Sequence, residues 1–324
     1  MTTKFHKGII KLDNVAKTSE VLQESIKKYI LGTFRKRGAI IGISGGIDSS
    51  VTLALAVNAL GSDKVLGIML PEKDSSPESA RLAADLAEKF GVKTLYEDIT
   101  GALEGFGCYK RRDEAVTKVF PQYDPQTYKM KIGIRQSGLN TGLPPIFYVT
   151  IISPSGIEES KMLPSVECSQ IIAASNFKQR SRMSMLYYHA ERLNYSVIGT
   201  PNKHEYEQGF FVKHGDSGAD LMPLAQLYKS QVYELAYHLG IPQEIIDRTP
   251  TSDTYSAEQT QEEFFFQLPF YEMDHLWYAY EHKMPAEDVA AEMGMALEMV
   301  KNIFNNFLRR QQTTEYLRMA PIHI

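Results

Sequence analysis

Apolar positions recur at helical spacing between about residues 19 and 33, where Val21, Leu22, Ile26, Tyr29 and Ile30 share a face, and they predict an amphipathic helix. The pattern then changes to short apolar runs. Residues 39–43 read as a buried strand, and residues 51–60, rich in Ala and Leu and ended by Gly61, as a helix. "KVLGIML" (64–70) gives a second strand. "SPESARLAADLAEKFG" (76–91) gives a helix with Ser76 at its N-cap, Pro77 in its first turn and Gly91 at its end, and "VKTLYEDIT" gives a third strand. Strands alternating with helices at this spacing predict an α/β fold with a doubly wound parallel sheet, whose ligands gather at the carboxyl ends of the strands.

The rhythm breaks between about residues 105 and 165. Gly, Pro, Asn and Ser clusters there surround two strand-like runs, "KMKIGIR" and "IFYVTII", and "SPSGIEE" reads as a turn. This stretch is expected to be an inserted β-rich excursion rather than a second domain. The α/β pattern resumes with the helix "NFKQRSRMSMLYYHAERLN", the strand "YSVIGT" and the helix "SQVYELAYHLG", ended by Gly240. Residues 271–324 read as a helical C-terminal region. The expected organisation is a single domain over 1–324.

Chemistry enters where the first strand meets its helix, in "GISGGIDSS" (42–50). A strand, a glycine turn and a helix N-terminus leave backbone N–H groups unpaired at the positive end of a helix dipole, and together they make an anion site. No lysine follows as in a Walker loop, and the spacing is not that of a dinucleotide fingerprint. Asp48 would repel a phosphate unless a cation lay between them, which suggests Mg²⁺ bridging to a polyphosphate. Alternatively, Ser49 or Ser50 caps the helix and Asp48 favours its dipole.

Composition narrows the classes. The 324 residues are 43% hydrophobic and 23% charged with a net charge of -4, ordinary for a globular chain with ample core. No broad basic excess favours nucleic acid, and no apolar stretch is long enough to span a membrane. The two cysteines, Cys108 and Cys168, form no disulfide framework and no paired C-x-x-C zinc site, so a cytoplasmic location is expected.

Taken with "GTPNKHEYEQGFFVKHGDSGADLMPLAQLYKSQVYELA" (199–236), the stretch 71–79 that opens "PEKDS", and "NFKQRSR", the "SGGIDSS" loop resembles the NAD synthetase family of N-type ATP pyrophosphatases. The loop alone is shared with other enzymes that cleave ATP to AMP and pyrophosphate; the combination is far more specific. The resemblance implies a fold of the adenine nucleotide alpha hydrolase-like type. It also implies ammonia-dependent amidation of deamido-NAD, through an acyl adenylate, with release of AMP and pyrophosphate. In its terms Gly42, Ile43, Ser44, Gly45, Gly46, Ile47, Asp48, Ser49, Thr200, Lys229 and Thr251 meet ATP, and Asp48, Glu205 and Lys229 are catalytic. Asp48 and Glu205 match its Mg²⁺ carboxylates, and Arg180, Lys213 and Asp220 match positions that hold the dinucleotide. A homodimer is implied as well.

Two features depart from the pattern. Where the family often carries a His-Lys-Arg run in a substrate-covering tail, Tyr316 and Leu317 stand in place of His and Lys, and Arg318 remains. The excursion is also longer than in compact members; its Lys129, Lys131 and Arg135 are candidates for a compensating contact. Both features bear on which carboxylate is amidated, so a paralogue adenylating another acid is the alternative. A tRNA-modifying pyrophosphatase would want a basic surface and often paired cysteines. For the nitrogen source, residue 2 is Thr2 and no nitrilase-sized domain precedes the loop, so ammonium rather than glutamine is expected. Within "HGDSGAD", Asp216 is expected to shape a turn.

Overall fold

The structure is a computed structural model that describes residues 4–134, 146–251 and 254–323. Helix α1 (Val15–Lys27) starts at Asn14, whose side chain accepts from the N–H of Lys17, and continues as π-helical turns over Lys28–Thr33. Strand β1 (Ala39–Gly42), α2 (Ile47–Leu60), β2 (Val65–Met69), α3 (Pro77–Lys89) and β3 (Lys93–Tyr96) then alternate as the pattern predicts. After α4 (Thr100–Gly105) and α5 (Cys108–Val119) come β4 (Lys129–Ile134), β5 (Phe147–Ile152) and β6 (Glu158–Met162). Helix α6 (Ser165–Leu193) leads into β7 (Ser196–Ile198), followed by α7 (Lys203–Glu207), α8 (Lys229–Leu239) and α9 (Gln243–Asp247). The chain closes with α10 (Phe270–Glu281), α11 (Ala286–Met293) and α12 (Leu297–Arg318).

The central sheet is parallel, in the order β3-β2-β1-β7. β1 is flanked on one side by the strand that follows it and on the other by a strand more than 150 residues later, with Ala39 opposite both Val65 and Ser196. The order therefore reverses at β1, and the crevice beyond the carboxyl ends of β1 and β7 is a topological switch point. The apolar runs that predicted strands do so because β1 is covered on both faces: Ala39, Ile40 and Ile41 are fully buried. On one face α2 packs with α1 and α8 around Ile41, Leu53 and Val232; on the other Ile40 and Val197 meet residues of α4 and α6.

The excursion differs from its expected β-rich character at its start. Residues 108–119 are helical, because Tyr109, Arg112, Ala115 and Val116 recur on one buried face against α6. The strands form a separate antiparallel sheet, β4-β5-β6. "SPSGIEE" holds the predicted turn, closed by Ser153 N–H and Ile157 O, but its last residues open β6. β6 is exposed along its length and lacks the alternation that would have marked it as a strand. Arg135 lies outside the described residues. The C-terminal helices surround their own core of Trp277, Phe266, Val300, Ile303 and Phe307. Among the described residues no helix is long and apolar enough to cross a membrane.

Candidate active site

The loop after β1 leaves Ile47–Leu60 with an uncapped start. Gly46 is the N-cap, and no side chain bonds to the first-turn N–H groups. Ser49 and Ser50 do not cap the helix; their hydroxyls turn back to the carbonyl of Gly46 at 3.0 and 2.8 Å. Ser44 Oγ lies 3.1 Å from Ser49 Oγ and accepts from the N–H of Gly46 at 3.4 Å, so the loop folds around its own hydroxyls. Gly45 has φ +70°, and a Cβ there would lie 2.6 Å from the carbonyl of Ser79. Only glycine lets this loop press against the start of α3. Uncapped N–H groups at a helix N-terminus form an anion site.

That start opens into a cavity of about 540 Å³ at the switch point. Of the residues expected to meet ATP, Gly42, Ile43, Ser44, Gly46, Ile47, Asp48, Ser49, Thr200, Lys229 and Thr251 line it, as does Glu205; Gly45 supports the loop from behind. Glu205 comes from α7, just beyond β7, and Lys229 is the first residue of α8. Three chain segments far apart in sequence thus deliver Asp48, Glu205 and Lys229 to one place.

The charges are closely arranged. The Lys229 ammonium is fully buried and donates to Asp48 Oδ2. Asn202 Nδ2 donates to Asp48 Oδ1 at 3.2 Å. Asn202 and Glu205 also form a capping box: Asn202 N–H donates to Glu205 Oε2 at 3.0 Å, and Glu205 N–H to Asn202 Oδ1 at 3.2 Å. Loss of water, with Asp48 adding repulsion and Lys229 opposing it, pushes the Glu205 carboxyl up to about 8. Burial pulls the Lys229 ammonium down, but Asp48 and Glu205 outweigh it and hold the group above its ordinary value.

This donor set fits Mg²⁺. Two carboxylates on separate elements, one of them held protonated mainly by loss of water and secondarily by its charged neighbour, are the oxygen donors a hard cation takes together with phosphate oxygens. No group of three or more His, Cys, Asp or Glu side chains suited to a closed metal cage occurs among the described residues.

The residues expected to hold the dinucleotide do not line the cavity. Arg180, Lys213 and Tyr316 form one cluster outside it. Arg180 Nε donates to the carbonyl of Lys213 at 3.3 Å, and Lys213 Nζ donates to the carbonyls of Tyr316 and Met319 at 2.8 and 3.2 Å. Tyr316 is exposed and Leu317 half-buried at the end of α12. Asp220 accepts from Tyr187 Oη at 3.0 Å and from Val197 N–H at 2.8 Å, beside β7. Asp216 accepts from Val212 N–H at 2.6 Å and closes the turn expected of it; burial pushes its carboxyl up to about 6.

Sequence reading missed several residues of this site. Arg182 and Arg248 both line the cavity and bring guanidinium groups to its wall, the first donating to Leu70 O and the second to Ser79 Oγ. Arg182 was legible only as part of a basic helix face, and Arg248 carried no motif at all. Lys178, from the same basic run, is fully buried. It donates to Glu72 Oε1, Asp74 Oδ2 and the carbonyl of Thr254, joining the loop after β2 to the loop that carries Thr251.

Comparison with known proteins follows the same lines. The sequence model of a family described as NAD synthase matches residues 18–120 and 150–321; the gap between the two segments lies inside the excursion. The chain is 43% identical over 317 residues to the NH(3)-dependent NAD(+) synthetase of Rhizobium meliloti (strain 1021), covering 98% of this chain and 94% of that protein. It is 32% identical over 304 residues to the protein of the same name from Thermotoga maritima, covering 93% and 98%. Two solved structures share the fold. They are an NH3-dependent NAD synthetase from Campylobacter jejuni (TM-score 0.62, 19% identity, 97% of this chain and 100% of that one) and an NMN synthetase from Francisella tularensis (TM-score 0.65, 22% identity, 96% and 98%).

Proposed function

The chain belongs to the NAD synthase family, and from that premise we propose that it amidates deamido-NAD with ammonia at the expense of ATP, by way of an acyl adenylate with release of AMP and pyrophosphate. The observation that carries this reading is the convergence of Asp48, Glu205 and Lys229 on the uncapped start of α2 at the switch point.

The uncapped N–H groups, with Ser44 and Ser49, receive the phosphates of ATP. Lys229 is a buried point charge that binds the phosphate on which negative charge grows as pyrophosphate departs. Arg182 and Arg248 lie on the cavity wall where they add to that field. Asp48 and Glu205 hold Mg²⁺, which when bound neutralises phosphate charge and draws electron density from the phosphorus under attack. The substrate carboxylate adds to the α-phosphorus of ATP and the bond to pyrophosphate breaks; ammonia then displaces AMP to leave the amide. The walls around the cavity, including Phe147, Phe210 and Phe264, keep water from the adenylate. Cys108 and Cys168 are held above their ordinary thiol range by burial, a poor setting for the nucleophile that glutamine hydrolysis needs.

The same reading treats the chain as one domain over 1–324, with residues 105–165 as an excursion and 271–324 as the region whose tail covers substrate. It assigns Arg180, Lys213, Asp220, Tyr316 and Leu317 to the dinucleotide and expects a homodimer. The uncharged Leu317 favours a second reading, in which the same chemistry acts on another carboxylate. Incubation with ATP, Mg²⁺, ammonium and deamido-NAD should yield AMP and NAD in equal amounts, with almost none when glutamine replaces ammonium. Asp48→Asn should slow AMP release by about 10²–10³-fold. Pyrophosphate release with a different acid, and no NAD from deamido-NAD, would establish the second reading instead.

A further inference from the structure

Lys229 stands at the wrong end of its helix. It is the first residue of α8, where the dipole disfavours a cation, and its side chain is buried. Asp48 pairs the ammonium itself, and the N–H groups of the helix start are met by Asp274 of α10, which is also fully buried. Its carboxylate accepts from the N–H of Lys229 at 3.2 Å and of Ser230 at 2.8 Å, two of the donors that the helix start leaves unpaired.

Asp274 has a third donor. His204 Nε2 lies 2.5 Å from Asp274 Oδ1, and its Nδ1 lies 3.2 Å from Gln208 Nε2. The proton positions follow from the far end of this chain. Arg310 of α12 has only donors to offer and gives one to Gln208 Oε1 at 2.9 Å. The amide nitrogen of Gln208 therefore faces His204 Nδ1, which accepts, so the ring proton sits on Nε2 and is donated to Asp274. Gln208, His204 and Asp274 are all fully buried. His204 immediately precedes Glu205, so a single carboxylate ties the helix start of Lys229 to the turn that carries Glu205.

We infer that Asp274 is a positioning residue for the adenylation step, and that Arg310, Gln208 and His204 form a buried relay by which the C-terminal helices set the placement of Lys229 and Glu205. The inference rests on the adenylating function proposed above. An asparagine at 274 presents one acceptor and one donor to three converging donors and removes the charge that offsets the helix dipole. Lys229 and Glu205 then lose their fixed spacing while their own side chains remain intact. Loss of such an outer partner typically lowers activity on the order of 10–100-fold.

The test compares wild type, Asp274→Asn, Lys229→Ala and the double variant by single-turnover AMP release from full-length protein with ATP, Mg²⁺ and deamido-NAD. Val289→Ala, which trims the same helical core away from the relay, controls for lost stability. Asp274→Asn should lower kcat by about 10–100-fold with KM for deamido-NAD near wild type. Val289→Ala, with a comparable fall in melting temperature, should keep its kcat. Adding Asp274→Asn to Lys229→Ala should cost little more, because groups acting as a unit are not additive. Wild-type kcat in a folded Asp274→Asn protein would overturn the inference, as would a fall matched by Val289→Ala or full multiplication of the two losses. If Asp274→Asn behaves as wild type while Lys229→Ala is impaired, only the relay fails. If wild type itself releases no AMP, the proposed function fails.

Discussion

At the residue scale, Glu205 is the group whose protonation the site controls most directly. Unfolded, its carboxyl titrates near 4.5; folded, loss of water and the charge of Asp48 raise it to about 8. Between those values the folded protein keeps a proton that the unfolded chain has released. Stability from this group is therefore fully present below about 4.5 and declines as pH rises through about 8. Asp216 acts with the same sign between 3.8 and about 6. In chelator, Glu205→Gln should melt above wild type at pH 8, and the gap should close toward pH 5. A gap that does not change with pH would show that Glu205 ionises normally. Asp48 was legible from a glycine turn at a strand end, Glu205 and Lys229 from the motifs that carry the family resemblance. Asn202, Asp274, Gln208 and Arg248 were not, because what they do depends on partners far along the chain. Asn202 meets Asp48 across 154 positions, and Arg310 meets Gln208 across 102.

At the element scale, the parallel sheet was legible because β1 and its neighbours are apolar runs buried on both faces, and their helices end at glycines such as Gly61, Gly91 and Gly240 with positive φ. The excursion was less so. Its helix α5 keeps helical spacing but fills one buried position with Arg112, and its third strand buries nothing, so neither shows the usual apolar pattern. What fixes α5 is ionic. Arg112 pairs with Asp74 at 2.6 Å, and Tyr109 Oη donates to Glu72 at 2.8 Å. Lys178 of α6 pairs with both Glu72 and Asp74, at 2.9 and 2.8 Å. Burial works to raise the Asp74 carboxyl, but Lys178 and Arg112 prevail and hold it below its ordinary range. Removing one partner from such a buried group leaves uncompensated charge and typically costs about 3–5 kcal/mol. Lys178→Met should lose that much stability in urea titration, and adding Glu72→Gln should restore part of it. A loss below about 1 kcal/mol would place the network among the weak surface pairs instead.

At the scale of the whole molecule, the site divides unevenly. The ATP side is enclosed by one chain, in a cavity between β1 and β7, whereas the residues assigned to the dinucleotide stand outside it. Lys213 is engaged there by the carbonyls of Tyr316 and Met319 at and just beyond the end of α12, and Asp220 by the backbone of β7. Tyr316, assigned with them to the dinucleotide under the proposed function, is exposed. The proposed homodimer would bring a second copy to this region. The first helix and α6 carry large side chains beyond what their own core uses: Val21 is 52% exposed, Tyr29 42% and Tyr188 59%. A stable homodimer interface typically buries upwards of about 2,000 Å², so several such side chains must be withdrawn from water together. Sedimentation at micromolar concentration should give twice the chain mass, and specific activity should fall on dilution as the dimer dissociates. Tyr188→Asp, which replaces an exposed aromatic ring with a charge, should shift the population toward monomer and raise KM for deamido-NAD more than KM for ATP. A monomeric mass with full activity would mean that one chain closes its own substrate site, and that the exposed face of α6 serves no partner in catalysis.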